Sequence, residues 1–340
     1  VSGRVRIVDV ASLAGVSTAT VSRALSAPET VGRATRDRVM EAVRATGYRV
    51  NGAARDLRQQ RARSLLILAP NLANTFFSRI FSAIQEEASA AGLAVQISDS
   101  RIGREKLVSL GYDGRADGIV LLDGAIDPDV VNGWRLPMIQ LCEWNEAYRA
   151  PRIGIDNAAA ARMAVEHLAD LCHRSVLHVS GPDGNVLAVT RREGFSDGVA
   201  ARGIAGTTLA GDFTLEAGAC AARRWAELRP RPTGVFCASD ECALGFISEC
   251  AALGFGVPDD VSVVGFDDID FAHRFLPALT TIRQPREALG RAAAKALVNL
   301  LGLAQVADPG DPAIAPTIVV RSSTAPPPTD DSRVATITLD

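Results

Sequence analysis

Residues 9–25, D-V-A-S-L-A-G-V-S-T-A-T-V-S-R-A-L, constrain the fold of this chain more than any other stretch. A helix running into Gly15 must stop there, because glycine adopts the left-handed conformation that a Cβ disfavours. Ser17 is placed to cap a second helix by accepting from an otherwise orphan N–H. Val10, Leu13, Ala14, Val16, Val21 and Leu25 recur at helical spacing and are expected to form one small core. A third helix, Thr35 to Thr46, is expected to present Val39, Met40 and Val43 to the first two and to end at Gly47-Tyr48. Thr18, Ala19, Ser22 and Arg23 are left facing outward along the second helix. In a helix-turn-helix those positions enter the DNA major groove. The competing reading is an ordinary helical hairpin. Cap, turn, core and polar face together favour double-stranded DNA as the partner.

Charge points the same way. Residues 1–63 hold twelve arginines and no lysine against five acids, a net +7; the whole chain is −3, which leaves −10 on residues 64–340. A basic end on an acidic body fits one module that neutralises phosphates and a body that does not.

From Ser64 onward, near-continuous apolar strands alternate with helices. Strands are predicted at 65–69, 94–98, 118–122, 138–142, 176–180, 234–237 and 261–266, with long helices over 76–91, 158–171, 187–201, 215–228 and 243–253. Apolar strands with helical crossovers imply parallel sheets covered on both faces. The run exceeds one typical sheet, and 340 residues imply two or three domains. Ligands of such sheets bind beyond the carboxyl ends of the strands. Asn71, Asn74, Asp99, Asp123, Glu143, Ser239-Asp240 and Asp267-Asp268 stand there. Amides and carboxylates of this kind suit the hydroxyls of a sugar or nucleoside.

Enzyme motifs are missing from the sequence. It has four histidines and no Ser-His-Asp spacing, and G-R-E-K at 103–106 lacks the glycine spacing of a phosphate loop. Six scattered cysteines carry no metal-ligand spacing, so neither metal nor cofactor is expected. No apolar run approaches a membrane span. The first residues carry Arg4 and Arg6 without an apolar stretch after them, and a cytoplasmic location is expected.

The chain resembles transcriptional regulators of the lactose/galactose repressor family over nearly its full length. The resemblance rests on V-D-V-A-S-L-A-G-V-S-T-A-T-V-S-R-A-L (8–25), T-R-D-R-V-M-E-A-V-R-A-T-G-Y-R-V-N (35–51), D-N-A-A-A-A-R-M-A (156–164), R-P-T-G-V-F-C-A-S-D-E-C-A-L-G (231–245) and V-P-D-D-V-S-V-V-G-F-D-D (257–268), running on to L-T-T-I-R-Q-P (279–285). It implies an all-α helix-turn-helix domain at 1–49, a hinge helix and linker at 50–63, and a core of two doubly wound, periplasmic-binding-protein-like lobes at 64–325. The first lobe would take 64–155 plus 283–316 and the second 156–282 plus 317–325, leaving a disordered tail at 326–340. It further implies a homodimer, or higher oligomer, on a pseudo-palindromic operator. Asn51, Ala54 and Leu57 of the hinge would touch DNA, with Leu57 as a wedge between base pairs. A small effector, a sugar, sugar derivative or nucleoside, would lie between the lobes. Arg191 matches the arginine that forks onto ligand oxygens, Asp267 the carboxylate opposite it, Phe213 the stacking aromatic and Phe77 a second apolar wall. Asn74, Asp240 and Gln284 complete the expected effector set. Core packing is the competing role for the two phenylalanines, and an ion pair between lobes for Arg191 and Asp267. The chain departs from the family at Arg6, where a threonine cap is usual, and over 101–115, where a Gly-rich loop replaces a full helix. A solute-binding receptor is the rival class for the core alone, and the DNA module opposes it.

Overall fold

A computed structural model describes residues 5–49, 61–303 and 314–328. The hinge positions Asn51, Ala54 and Leu57 and tail residues 329–340 lie outside the described residues. The chain divides into two compact units, 1–62 and 63–340.

The first unit is three helices, α1 (Ile7–Ala14), α2 (Thr18–Ser26) and α3 (Arg33–Thr46). Asp9 compensates for Arg6 at the start of α1: its carboxylate accepts the Arg6 N–H at 2.8 Å. Gly15 closes α1 at φ 63°, with Val16 N–H donating to the Ala11 carbonyl and Gly15 N–H to that of Ser12. That pair of bonds satisfies carbonyls the helix end would otherwise orphan. Ser17 Oγ accepts from Thr20 N–H at 3.1 Å and caps α2. Val10, Ala11, Ala14, Val21, Ala24, Val39 and Ala42 form the core, with Val16, Leu25 and Val43 packed against it. Leu13 and Met40 are not part of it. Leu13 is 60% exposed and Met40 39%. Each sits about 100° around its helix from the buried stripe, because that stripe is centred on small residues at Ala11 and Ala14, and on Val39 and Ala42.

The second unit contains two separate, largely parallel sheets. The first has the order β2-β1-β3-β4-β5, from β1 (Ser64–Ala69), β2 (Ala94–Asp99), β3 (Gly118–Leu121), β4 (Met138–Leu141) and β5 (Arg152–Ile153). Every residue of β1, β3 and β4 is buried, so alternate side chains feed two helical layers. Leu65, Ile67 and Val120 pack toward Ile80 and Ile84 of α4 (Phe77–Ala90). Leu66, Leu68 and Ile119 pack instead toward Leu107 of α5 (Arg104–Leu110) and Val130 of α6 (Pro128–Gly133). The 101–115 segment thus holds a seven-residue helix, not only a loop.

The second sheet has the order β11-β10-β9-β8-β6-β7, from β6 (Ser175–Val179), β7 (Ala205–Leu209), β8 (Gly234–Cys237), β9 (Ser262–Asp267), β10 (Thr280–Arg283) and β11 (Thr317–Val319). One face carries α7 (Asn157–Asp170) and α8 (Val186–Arg202); the other carries α9 (Leu215–Glu227) and α10 (Asp240–Ala252). After β10 the chain returns to the first sheet as α11 (Arg286–Leu300), which packs along α4. It then re-enters the second sheet as β11, antiparallel to β10. Three crossings therefore join the lobes, and the strand ends of both sheets meet at one cleft.

Candidate functional site

The cleft encloses a cavity of about 670 Å³. Its first-lobe wall is built from segments that leave β1 to β4: Asn71, Asn74, Phe76 and Phe77, then Arg101, Asp123, Cys142 and Glu143. The second-lobe wall uses Asp183 and Asn185 after β6, Asp212 and Phe213 after β7, Ser239 and Glu241 after β8, with Asp267 and Gln284 after β9 and β10. Parallel strands place their carboxyl ends together, which is why sequence-distant side chains converge here.

Arg191, on α8, is 3% exposed. Its Nε donates to Asn157 Oδ1 at 3.0 Å and its Nη1 to the Ala238 carbonyl at 2.6 Å. The guanidinium lies 3.7 Å from the Phe266 ring centroid and 5.7 Å from that of Phe213. A guanidinium has five N–H donors, so the remainder can serve a ligand. Burial pulls its pKa down to about 10, and it stays cationic at neutral pH. Asp267 ends β9, and its Oδ1 accepts from Gln284 Nε2 at 2.7 Å. Burial raises its pKa to about 6, opposed by Arg191 and the Gln284 hydrogen bond. Both residues belong to the second lobe, so they share a wall and do not form an ion pair between lobes.

Backbone strain gathers at the same place. Cys142 (φ 65°), Phe213 (φ 69°), Asp267 (φ 121°) and its neighbour Asp268 (φ 56°) all occupy conformations that side chains disfavour. Each costs on the order of 1–3 kcal/mol and persists only where the surroundings enforce it. For Phe213 the enforcement is visible. Ser239 Oγ caps α10 and also donates to the Phe213 carbonyl at 2.9 Å. The ring approaches Gly181 so closely that a Cβ there would lie 2.1 Å from it. Phe77 packs edge-on to Phe76 at 5.3 Å and contributes to the core and the cavity alike.

Among the described residues, side chains at the cleft bridge the two lobes. Thr75 donates through both its N–H and its Oγ1 to Glu241 Oε1, each at 3.2 Å. Glu143 accepts from Gly124 N–H at 3.0 Å and from Asn185, while burial raises its pKa. Asn74, Phe77, Arg191, Phe213, Asp267 and Gln284 are thus brought together at one cavity. Asp240 is not. It is fully buried, accepts from Ile269 N–H at 2.8 Å and Thr281 Oγ1 at 2.5 Å, and ties the segment after β9 to β10. Its neighbour Glu241 takes the cavity position. Asp183, Asn185 and Asp212 are functional-site residues beyond the sequence expectation: Asp212 follows the unpredicted edge strand β7, and Asp183 and Asn185 lie several residues past the end of β6. No histidine or nucleophile–base pair lines the cavity, and among the described residues no cluster could hold a metal.

In the first unit, Thr18, Ala19 and Arg23 are exposed and Ser22 half-buried along α2. Residues 6–51 match the model for bacterial regulatory proteins of the lacI family, and residues 165–324 match a periplasmic binding protein-like domain. The HTH-type transcriptional repressor CytR of Escherichia coli (strain K12) is 36% identical over 300 residues, covering 86% of this chain and 88% of the relative. The chain belongs to the lacI family. Among solved structures, the Lac repressor dimer bound to operator and the anti-inducer ONPF superposes with a TM-score of 0.81 at 26% identity, covering 95% of this chain and all of that one. A transcriptional regulator CelR–cellobiose complex gives 0.69 at 28% identity, covering 94% and 100%. This lacI-family member is a DNA-binding transcription regulator and not an enzyme. Among the described residues no helix is long and apolar enough to cross a membrane.

Proposed function

We propose that this regulator is a cytoplasmic repressor that binds a pseudo-palindromic operator as a two-fold dimer and is released by an uncharged, ring-bearing polyol, a sugar or nucleoside, held in the cleft. The charge of the cleft carries the ligand assignment. Six carboxylates line it (Asp123, Glu143, Asp183, Asp212, Glu241, Asp267) against two guanidiniums, Arg101 and Arg191, a net −4. A phosphorylated ligand would meet that field unfavourably in a part-buried site, whereas hydroxyls can donate to the carboxylates and accept from Arg191. Phe76, Phe77 and Phe213 supply the apolar faces for a ring. Support for the DNA half comes from the outward row Thr18, Ala19, Ser22 and Arg23, with Asn51, Ala54 and Leu57 as hinge contacts and Leu57 as the wedge that bends the site. One helix-turn-helix covers too little DNA for operator-grade specificity, which favours the dimer.

A thermal-shift screen of neutral sugars, nucleosides and their phosphates tests the assignment, since a ligand of the folded state raises stability by mass action. A neutral compound should raise Tm in the wild type and not in Asp267→Ala. Stabilisation by the phosphate esters alone, lost in Asp267→Ala, would reverse it.

A further inference from the structure

A second cavity, of about 550 Å³, shares only Gln284 with the cleft, and its charge is reversed. Five guanidiniums reach it, from Arg79, Arg283, Arg286, Arg291 and Arg321, against the carboxylates of Asp268, Asp270 and Glu287. The lining is +2 where the cleft is −4. The carboxylates are shared. Asp268 serves Arg283 at 2.6 Å and Arg321 at 2.5 Å, while Asp270 serves Arg79 at 2.7 Å and Arg286 at 3.0 Å. Glu287 takes Arg79 at 2.6 Å and reaches Arg291 only at 3.8 Å. Arg286 is itself 5% exposed, held by the Asp268 and Phe76 carbonyls. Helix α11 starts at this wall without a side-chain cap, so the positive end of its dipole adds to the same field.

We propose that this cavity binds a phosphoryl group, carried by inorganic phosphate or by a small phosphorylated metabolite. A phosphoryl dianion carries about −1.5 to −2 near neutral pH, which matches the surplus of the lining. Guanidinium forks suit its oxygens in the bidentate manner that a single ammonium cannot supply. The volume lies within the range of small-molecule sites. Binding would also act on the lobes. Arg79 stands on α4 of the first lobe and Asp270 follows β9 of the second, so an anion competing for Arg79 and Arg286 alters a bond between lobes. Asp268 adjoins the cleft residue Asp267, and Gln284 faces both cavities, so occupancy of one changes affinity at the other reciprocally. The proposal holds whatever ligand the cleft takes.

Calorimetric titration of the full chain in chloride buffer decides it, with inorganic phosphate, a hexose 6-phosphate and the unphosphorylated hexose at matched ionic strength. The variants are Arg79→Gln, Arg291→Gln and, in the cleft, Arg101→Gln. Phosphate or the phosphate ester should bind saturably, at least tenfold more weakly in Arg79→Gln and Arg291→Gln and unchanged in Arg101→Gln. Tighter binding of the ester than of phosphate assigns the metabolite, and equal or weaker binding assigns the free ion. The Arg291 side chain is 41% exposed, so Arg291→Gln decides alone should Arg79→Gln not fold. Absence of saturable binding by both phosphates, or binding lost in Arg101→Gln and kept in Arg291→Gln, overturns the proposal.

Discussion

Asp267 carries an opposed pair of costs, a left-handed backbone and a buried carboxylate with its pKa raised to about 6. A carboxyl whose folded pKa exceeds its ordinary value is disfavoured in its charged form. Its most stabilising state is therefore present below the ordinary value near 3.8 and is lost as pH rises through about 6. The size is on the order of 2–3 kcal/mol. Asp267→Asn removes that dependence, so its Tm relative to wild type should be more favourable at pH 7.5 than at pH 4.5. A difference flat across that range would mean the carboxyl titrates normally. At the other end of the chain, Arg23 is exposed one turn into α2. Arg23→Ala should lose about 1–3 kcal/mol of operator discrimination if it forks onto a guanine. Competition titration against random DNA checks this, and equal losses on both DNAs would make it a phosphate contact.

Elements differ in how openly the sequence announces them. The run S-L-L-I-L-A is legible as β1 because a strand covered on both faces must be apolar throughout. A-G-T-T-L of β7 is not, since an edge strand is mostly exposed and needs no apolar pattern. The two-residue β5 offers nothing to read. Losing β7 from view hid Asp212 and left Phe213 resting on the family resemblance alone. Asp240 stood rightly at a strand end, but the direction in which its side chain leaves α10 is a property of packing against Gly265, Ile269 and Thr281. Helix spacing misled at Leu13 for a related reason: small alanines let α1 approach along a different stripe. Close approach also governs α9 and α10. A Cβ on Gly245 would lie 1.9 Å from the Leu215 carbonyl oxygen, and one on Gly218 1.9 Å from that of Cys242. Both obstacles are backbone and cannot rotate away. Gly245→Ala should cost about 1–3 kcal/mol by overpacking, read as a lower urea midpoint with unchanged slope. An unchanged midpoint would mean the helices separate without penalty.

At the scale of the whole molecule, charge is divided between units that fold around separate cores. The +7 of residues 1–63 supplies attraction to phosphates, while the −10 of the remainder opposes it. Non-specific DNA binding is dominated by such charge and falls steeply with salt. In the proposed assembly, specific binding adds base contacts from α2 and the correct spacing of two copies. The described lining of the cleft runs from Pro70 to Gln284. On the proposed function, an effector held there would act by favouring one arrangement of lobes bridged by the Thr75–Glu241 and Arg79–Asp270 contacts, and would shift DNA affinity only as far as its own affinity differs between arrangements. The expected outcome is selective. Saturating effector should lower operator affinity while leaving random-DNA affinity, and the salt slope of that binding, unchanged. Fluorescence anisotropy with both DNAs across a salt series, with and without effector, measures each quantity. A parallel loss on operator and random DNA would instead place the effector's action on the phosphate-binding charge itself, and the separation of readout from response would fail.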